Sequence, residues 1–165
     1  MTAFRVLVAD KVKAQLYELP SRRSSLKPLQ AFVNPAGMQP ERALGSGRPG
    51  RVTSGTGGGR HAFEPKHGIK EHAEEVFVRQ VVSALEADAA ASGGVPIVLV
   101  AAPRLLGTYR RNLPAGLKAR VAVEVKLDLT KLPVLELNKR VREAVSALPL
   151  SVTSRFPAPR RRTKA

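Results

Sequence analysis

The sequence predicts an α/β domain in which a three-strand meander is followed by βαβα, giving a five-stranded mixed sheet with helices packed on it. Three observations predict it. Short apolar runs near residues 4–9, 12–19 and 28–34 have the length and period of strands. From Lys70 the apolar spacing becomes that of a helix. Beyond it, strand-like and helix-like segments alternate as far as residue 148.

The elements follow in order. "FRVLVA" (Phe4–Ala9) is a short, mostly apolar run ending at Asp10, consistent with a strand buried on both faces. In "VKAQLYEL", Val12, Ala14 and Leu16 alternate with Lys13 and Gln15, the period of a half-exposed strand. The Asp10–Lys11 step between the two suits a tight hairpin. "PLQAFVN" is a third strand, stopped by Asn34–Pro35. Residues 34–69 then hold nine glycines and four prolines without a sustained apolar period, which predicts a long loop.

Phe77, Val81 and Leu85, flanked by Ala73, Val78 and Val82, form the stripe of a long helix. Glu71, Glu74 and Glu75 fall in its first turns, where the helix dipole favours acids. Glu75 and Arg79 are spaced for an i,i+4 ion pair, and Gly93–Gly94 ends the helix. "VPIVLVAA" reads as a central strand, and Pro103 opens the short helix "PRLLGTYRRNL". "RVAVEVKLDL" is a fifth strand with Val121, Val123, Val125 and Leu127 on one side. The last helix, "PVLELNKRVREAVSAL", buries Leu137, Val141, Val145 and Leu148. Residues 1–150 thus form one domain, and 151–165 a basic tail expected to be disordered. Ribonuclease-H-like domains share this layout.

Composition narrows the chemistry. A chain of 165 residues has room for one well-buried core. Aromatic content of 4% with no Trp makes that core aliphatic. The absence of Cys excludes disulfides, a thiolate nucleophile and a Cys-based zinc site. No apolar run approaches the roughly 18–20 residues of a membrane span. "MTAFRVLVAD" reaches Asp10 too early to hold a signal-peptide core, so a cytoplasmic protein is expected.

The formal charge is +15, unevenly placed. Residues 151–165 carry Arg155, Arg160, Arg161, Arg162 and Lys164 with no acid. Residues 34–70 carry Arg42, Arg48, Arg51, Arg60, Lys66 and Lys70 against Glu41 and Glu64. Clustering of this kind points to a polyanionic partner, RNA or the ribosome being the expectation.

The candidate sites follow from that charge. Arg48, Gly50, Arg51, Gly58, Gly59 and Arg60 combine forked donors with accessible backbone N–H groups, a combination suited to phosphate. The same composition also describes a charged linker. It is not a Walker loop, which would end in Gly-Lys-Ser/Thr. Arg104, at the end of the central strand, stands where α/β sheets bind ligands; the competing expectation is an ion pair with Asp10 or Asp128. Arg110 and Arg111, with Lys118 and Arg120 behind them, extend a basic face, and Arg160, Arg161 and Arg162 add interchangeable tail charges. Asp10, Glu18 and Asp128 are the strand-end acids that could imitate a two-metal nuclease, but Glu18 falls at the far strand end. His61, His67 and His72 fit no metal-ligand spacing, and no nucleophile elbow is present. No catalytic residue, metal or cofactor is expected.

As a set, "VADKVKAQLYEL", "GRPGRVTS", "GGRHAFEP", "VLVAAPRLLGTYRRNL" and "LDLTKLPVLEL" resemble the bacterial host attachment protein family over roughly residues 4–148. That family is in turn similar to the middle domain of archaeal and eukaryotic peptide-release factors and of Pelota. Release factors carry Gly-Gly-Gln in the loop before the long helix, whereas here the triplet is Gly58-Gly59-Arg60. Family members often carry an acidic-Pro-His turn after "EP", where this chain reads Gly68-Ile69-Lys70. The resemblance implies a non-enzymatic RNA- or ribosome-associated domain without peptidyl-tRNA hydrolysis. Attachment to host cells is the second expectation, and a metal-dependent nuclease the third.

Overall fold

The computed structural model describes residues 2–38 and 67–154. Strands β1 (Phe4–Ala9), β2 (Lys13–Leu19) and β3 (Lys27–Val33) form the antiparallel meander. Strands β4 (Ile97–Val100) and β5 (Val121–Val125) continue the sheet from β1 in parallel. The order across the sheet is β3-β2-β1-β4-β5. The described helices are α1 (Pro35–Met38), α2 (His67–Ala91), α3 (Pro103–Asn112), α4 (Ala115–Lys118), α5 (Val134–Ser146) and α6 (Leu150–Ser154).

The two-residue period of the central strands divides the core. Leu7, Ala9, Ile97 and Leu99 face Phe77, Val81 and Leu85 of α2 and Leu105, Leu106 and Tyr109 of α3. Phe4, Val6, Val8, Val98 and Val100 face the other way, onto Leu137, Val141 and Val145 of α5. The result is three layers: two helices, the mixed sheet and one helix. Each fully buried aliphatic side chain contributes roughly 1.5–3 kcal/mol. With no Trp in the chain, these Val and Leu contacts dominate the burial.

The fold departs from expectation at several boundaries. Helix α2 starts at His67, so Glu71, Glu74 and Glu75 lie beyond its first turn and do not serve the helix dipole. Helices α1 and α4 occupy stretches expected to be loop or connection. Strand β5 stops at Val125, and Leu127, expected inside, is half exposed. As an edge strand, β5 buries none of its residues fully, so the alternation does not sort them. Helix α6 carries regular structure past residue 150.

Gly93–Gly94 ends its helix as expected. Both residues have positive φ, 71° and 84°, and the Gly94 N–H donates to the Ala89 carbonyl at 3.2 Å. A Cβ on Gly94 would also meet the Arg120 guanidinium at 2.5 Å.

At the amino edge of the parallel strands, Arg5 binds Asp88 at 2.6 Å and Glu18 at 3.4 Å. Nearby, Arg22 donates to the carbonyls of Val145 and Leu148 at 2.9 and 2.7 Å and of Pro149 at 3.2 Å. That guanidinium ties the turn after β2 to the chain that closes α5, where the Val145 carbonyl also accepts the Leu148 N–H and the Pro149 carbonyl the Val152 N–H.

Candidate functional site

The opposite, carboxyl edge of β1 and β4 is where open α/β sheets place ligands. Four separate segments meet there. The β1–β2 turn supplies Lys11, the end of β3 and α1 supply Asn34 and Gly37, α2 supplies Glu71 and Glu74, and α3 supplies Arg104. Together they line a cleft of about 250 Å³.

The floor of the cleft is built by backbone contacts. Asn34 is buried; its N–H donates to the Val12 carbonyl at 2.6 Å and its Nδ2 to the Lys11 carbonyl at 3.0 Å. Its own carbonyl accepts the Gly37 N–H at 3.1 Å. Helix α1 is thereby drawn onto the hairpin so closely that a Cβ at position 37 would stand 2.5 Å from the Lys11 carbonyl oxygen. Only glycine permits that approach.

The wall is formed by α2 and α3, which run side by side in the same direction. Helical spacing puts 71, 74 and 75 on one face of α2 and 104, 108 and 112 on one face of α3. They pair in register. Arg104 Nη2 donates to Glu71 Oε1 at 2.7 Å, Thr108 Oγ1 to Glu74 Oε1 at 3.2 Å, and Asn112 Nδ2 reaches Glu75 Oε1 at 3.5 Å. The expected Glu75–Arg79 pair is present at 3.6 Å. A second cavity of about 270 Å³ between the helices shares Glu71, Glu74 and Arg104 with the cleft and adds Thr108 and Arg111. Beneath this wall the Tyr109 hydroxyl is buried without a partner among the described residues. Burial, and then the nearby charges of Glu74 and Asp10, push its pKa up, so it stays a neutral donor.

Beside the cleft, Asp10 shapes the hairpin. Its Oδ1 accepts the N–H groups of Val12 and Lys13, each at 2.7 Å. Its Oδ2 lies 2.6 Å from Thr130 Oγ1, which is also 2.7 Å from Asp128 Oδ1. One hydroxyl has one proton, so at any moment it donates to only one of the two acids. Burial works against the charge on Asp10, but the bonds from Thr130, Lys13 and Val12 outweigh it and hold the pKa below its ordinary value.

The residues singled out in the sequence separate here. Arg104 is at the cleft mouth, paired with Glu71 and not with Asp10 or Asp128: those acids are bound to Thr130, while Glu71 faces Arg104 from the adjacent helix. Arg111 lines the neighbouring groove and donates to Thr108 Oγ1 at 3.3 Å. Arg110 points elsewhere. Its Nε lies 2.8 and 3.0 Å from the two carboxylate oxygens of Glu124, and its Nη2 donates to Oε2. Arg48, Gly50, Arg51, Gly58, Gly59, Arg60, Arg160, Arg161 and Arg162 lie outside the described residues, as does most of the expected 34–69 loop. Glu18 sits at the amino edge on Arg5, away from Asp10 and Asp128, and among the described residues no group of three or more His, Asp or Glu could hold a metal. Among the same residues no helix is long and apolar enough to cross a membrane.

Lys11, Asn34, Gly37, Glu71 and Glu74 were not anticipated as cleft residues. Two signals were present. Lys11 lies two residues past the end of β1, and Asn34–Pro35 is a helix-start dipeptide as well as a strand stop.

A family model described as "protein required for attachment to host cells" matches residues 5–141. The match runs through all five strands and the cleft, and the chain belongs to that family. Among curated proteins no significant match is found. The family finding corrects the leading expectation. It points to attachment, not to an RNA- or ribosome-associated domain, and it does not extend to the release-factor or Pelota middle domains.

Proposed function

We propose that this protein is a binding module that serves attachment to host cells and catalyses no reaction of its own. One observation carries the reading: the family match runs from residue 5 to residue 141, through every strand and the cleft. The formal charge of +15 supports it, because cell surfaces carry fixed anionic groups and a positive protein is steered towards them. On this reading part of the protein reaches the outside of the cell that makes it.

The test uses the native producer. Its cells, with the gene deleted and restored, are compared for adhesion to host cells, and intact cells are probed with an antibody to the protein. Adhesion should fall on deletion and return on restoration, with antibody bound at the surface. Unchanged adhesion, or a pool wholly inaccessible to antibody, would overturn the reading.

A further inference from the structure

The geometry points to the cleft at the carboxyl edge as a binding site for a single acidic sugar, a ring bearing one carboxylate together with several hydroxyls. The argument begins with what the lining can accept. Lys11 makes no ion pair among the described residues, and it lines the cleft together with a second lysine, Lys70. Arg104 has five N–H donors and, among the described residues, uses one, on Glu71. The same end of α3 has no side-chain cap, so its first-turn N–H groups add partial positive charge. These donors suit a carboxylate.

The opposite wall selects further. Among the described residues Glu74 accepts from Thr108 at Oε1, and its Oε2 is available to a ligand donor. Among the same residues Glu71 accepts from Arg104 at Oε1. Inorganic phosphate gains from Lys11 and Arg104, but its dianion has a single O–H and bonds at most one of the two carboxylates, the other repelling it. A neutral sugar offers hydroxyls to Glu71 and Glu74 but leaves Lys11 without a counter-charge. A sugar acid meets both requirements.

Size agrees with this choice. About 250 Å³ falls just under the usual range for ligand cavities and suits one ring, not a drug-sized molecule. The adjoining space of about 270 Å³, reached past Glu71, Glu74 and Arg104, would receive a neighbouring residue of a chain. The cleft is also preformed, because Asn34 and the close approach at Gly37 fix its floor. The inference rests on the attachment reading only for the source of the sugar, a glycan on the host surface.

The test is titration of the purified full chain with glucuronate, glucose and inorganic phosphate, followed by amide NMR shifts. Glucuronate should saturate, with the largest shifts at Lys11, Glu74 and Arg104, and bind at least roughly tenfold better than glucose or phosphate, the scale of one charged hydrogen bond. Lys11→Gln should reduce the preference for glucuronate over glucose by about tenfold, and Glu74→Gln should narrow the gap between glucuronate and phosphate. Lys139→Gln, on the far face of the molecule, should leave all three unchanged. Phosphate or glucose binding as well as glucuronate, shifts away from the cleft, or no saturation would each overturn the inference. Loss of adhesion on gene deletion without glucuronate binding would sink the sugar site alone. Glucuronate binding with adhesion intact would sink the attachment reading alone.

Discussion

Asn138 of α5 accepts the backbone N–H of Leu26 at 2.6 Å through Oδ1, while its Nδ2 donates to the Val134 carbonyl at 2.8 Å. The residue is buried, so one amide side chain fixes the approach to β3 against the helix on the far layer. Asn138→Ala leaves the Leu26 N–H without a partner inside the protein. The expected loss is about 1–3 kcal/mol, with Tm lowered by roughly 2–4 °C for each kcal/mol in a chain of this size. Thermal and urea unfolding followed by circular dichroism measure it; an unchanged midpoint would mean that water replaces the lost bond.

Three glycine substitutions should behave differently. Gly37→Ala places a methyl group 2.5 Å from the Lys11 carbonyl oxygen and should cost roughly 1–3 kcal/mol, with α1 displaced. Gly68→Ala and Gly116→Ala meet nothing within 4 Å and lie in helices, where alanine is favoured by up to about 1 kcal/mol. Denaturation midpoints should fall for the first and hold or rise for the other two. Equal effects would refute the close approach at the cleft floor.

Asp10 should give the fold an acid-dependent component. Its folded pKa is held below the unfolded value, near 3.8, so the stabilisation is fully present above that value. As pH falls through the unfolded and then the folded pKa, the stabilisation is lost. Asp10→Asn should therefore be less stable than wild type at pH 7 and approach it as pH falls to 3. Unfolding measured at pH 7, 5 and 3 decides it, and a constant difference across that range would exclude the linkage.

Glu124 is a second depressed acid. The hydrogen bond from Arg110 is the main cause, opposed by partial burial and aided by the charges of Arg110 and Lys126. Arg110→Ala should move the Glu124 titration upwards, towards the ordinary glutamate value, in a carboxyl carbon NMR titration. An unmoved midpoint would show that the fork on β5 does not persist in solution.

The sheet was legible because its central strands are continuous apolar runs, and Val98 and Val100 can be buried only between two layers. The end of α2 was legible in Gly93–Gly94, which supply the positive φ that the helix terminus needs. Its start was not. Gly68 interrupts the helical pattern, and the stripe becomes readable only where Phe77 and Val81 repeat. Short helices such as α1 and α4 carry too few residues to show a period. The cleft was legible only through Arg104. Its other residues come from segments far apart in the chain, and nothing local in Lys11 or Glu74 announces that topology will bring them together.

The strap that Arg22 forms over the end of α5 has a consequence for how charge is moored. Residues 39–66 depart after Met38 and return at His67, at the cleft edge, whereas residues 155–165 follow α6, which starts beside the Arg22 strap at the other edge. A strand of six residues separates those edges by about 20 Å. The described ends that flank the stretch containing Arg48, Arg51 and Arg60 and the stretch containing Arg160, Arg161 and Arg162 therefore lie at opposite edges of the sheet. Were both stretches to bind one extended anionic surface, contact at one edge would make engagement at the other an intramolecular event. Avidity of that kind disappears on a short soluble anion, which can meet only one edge at a time.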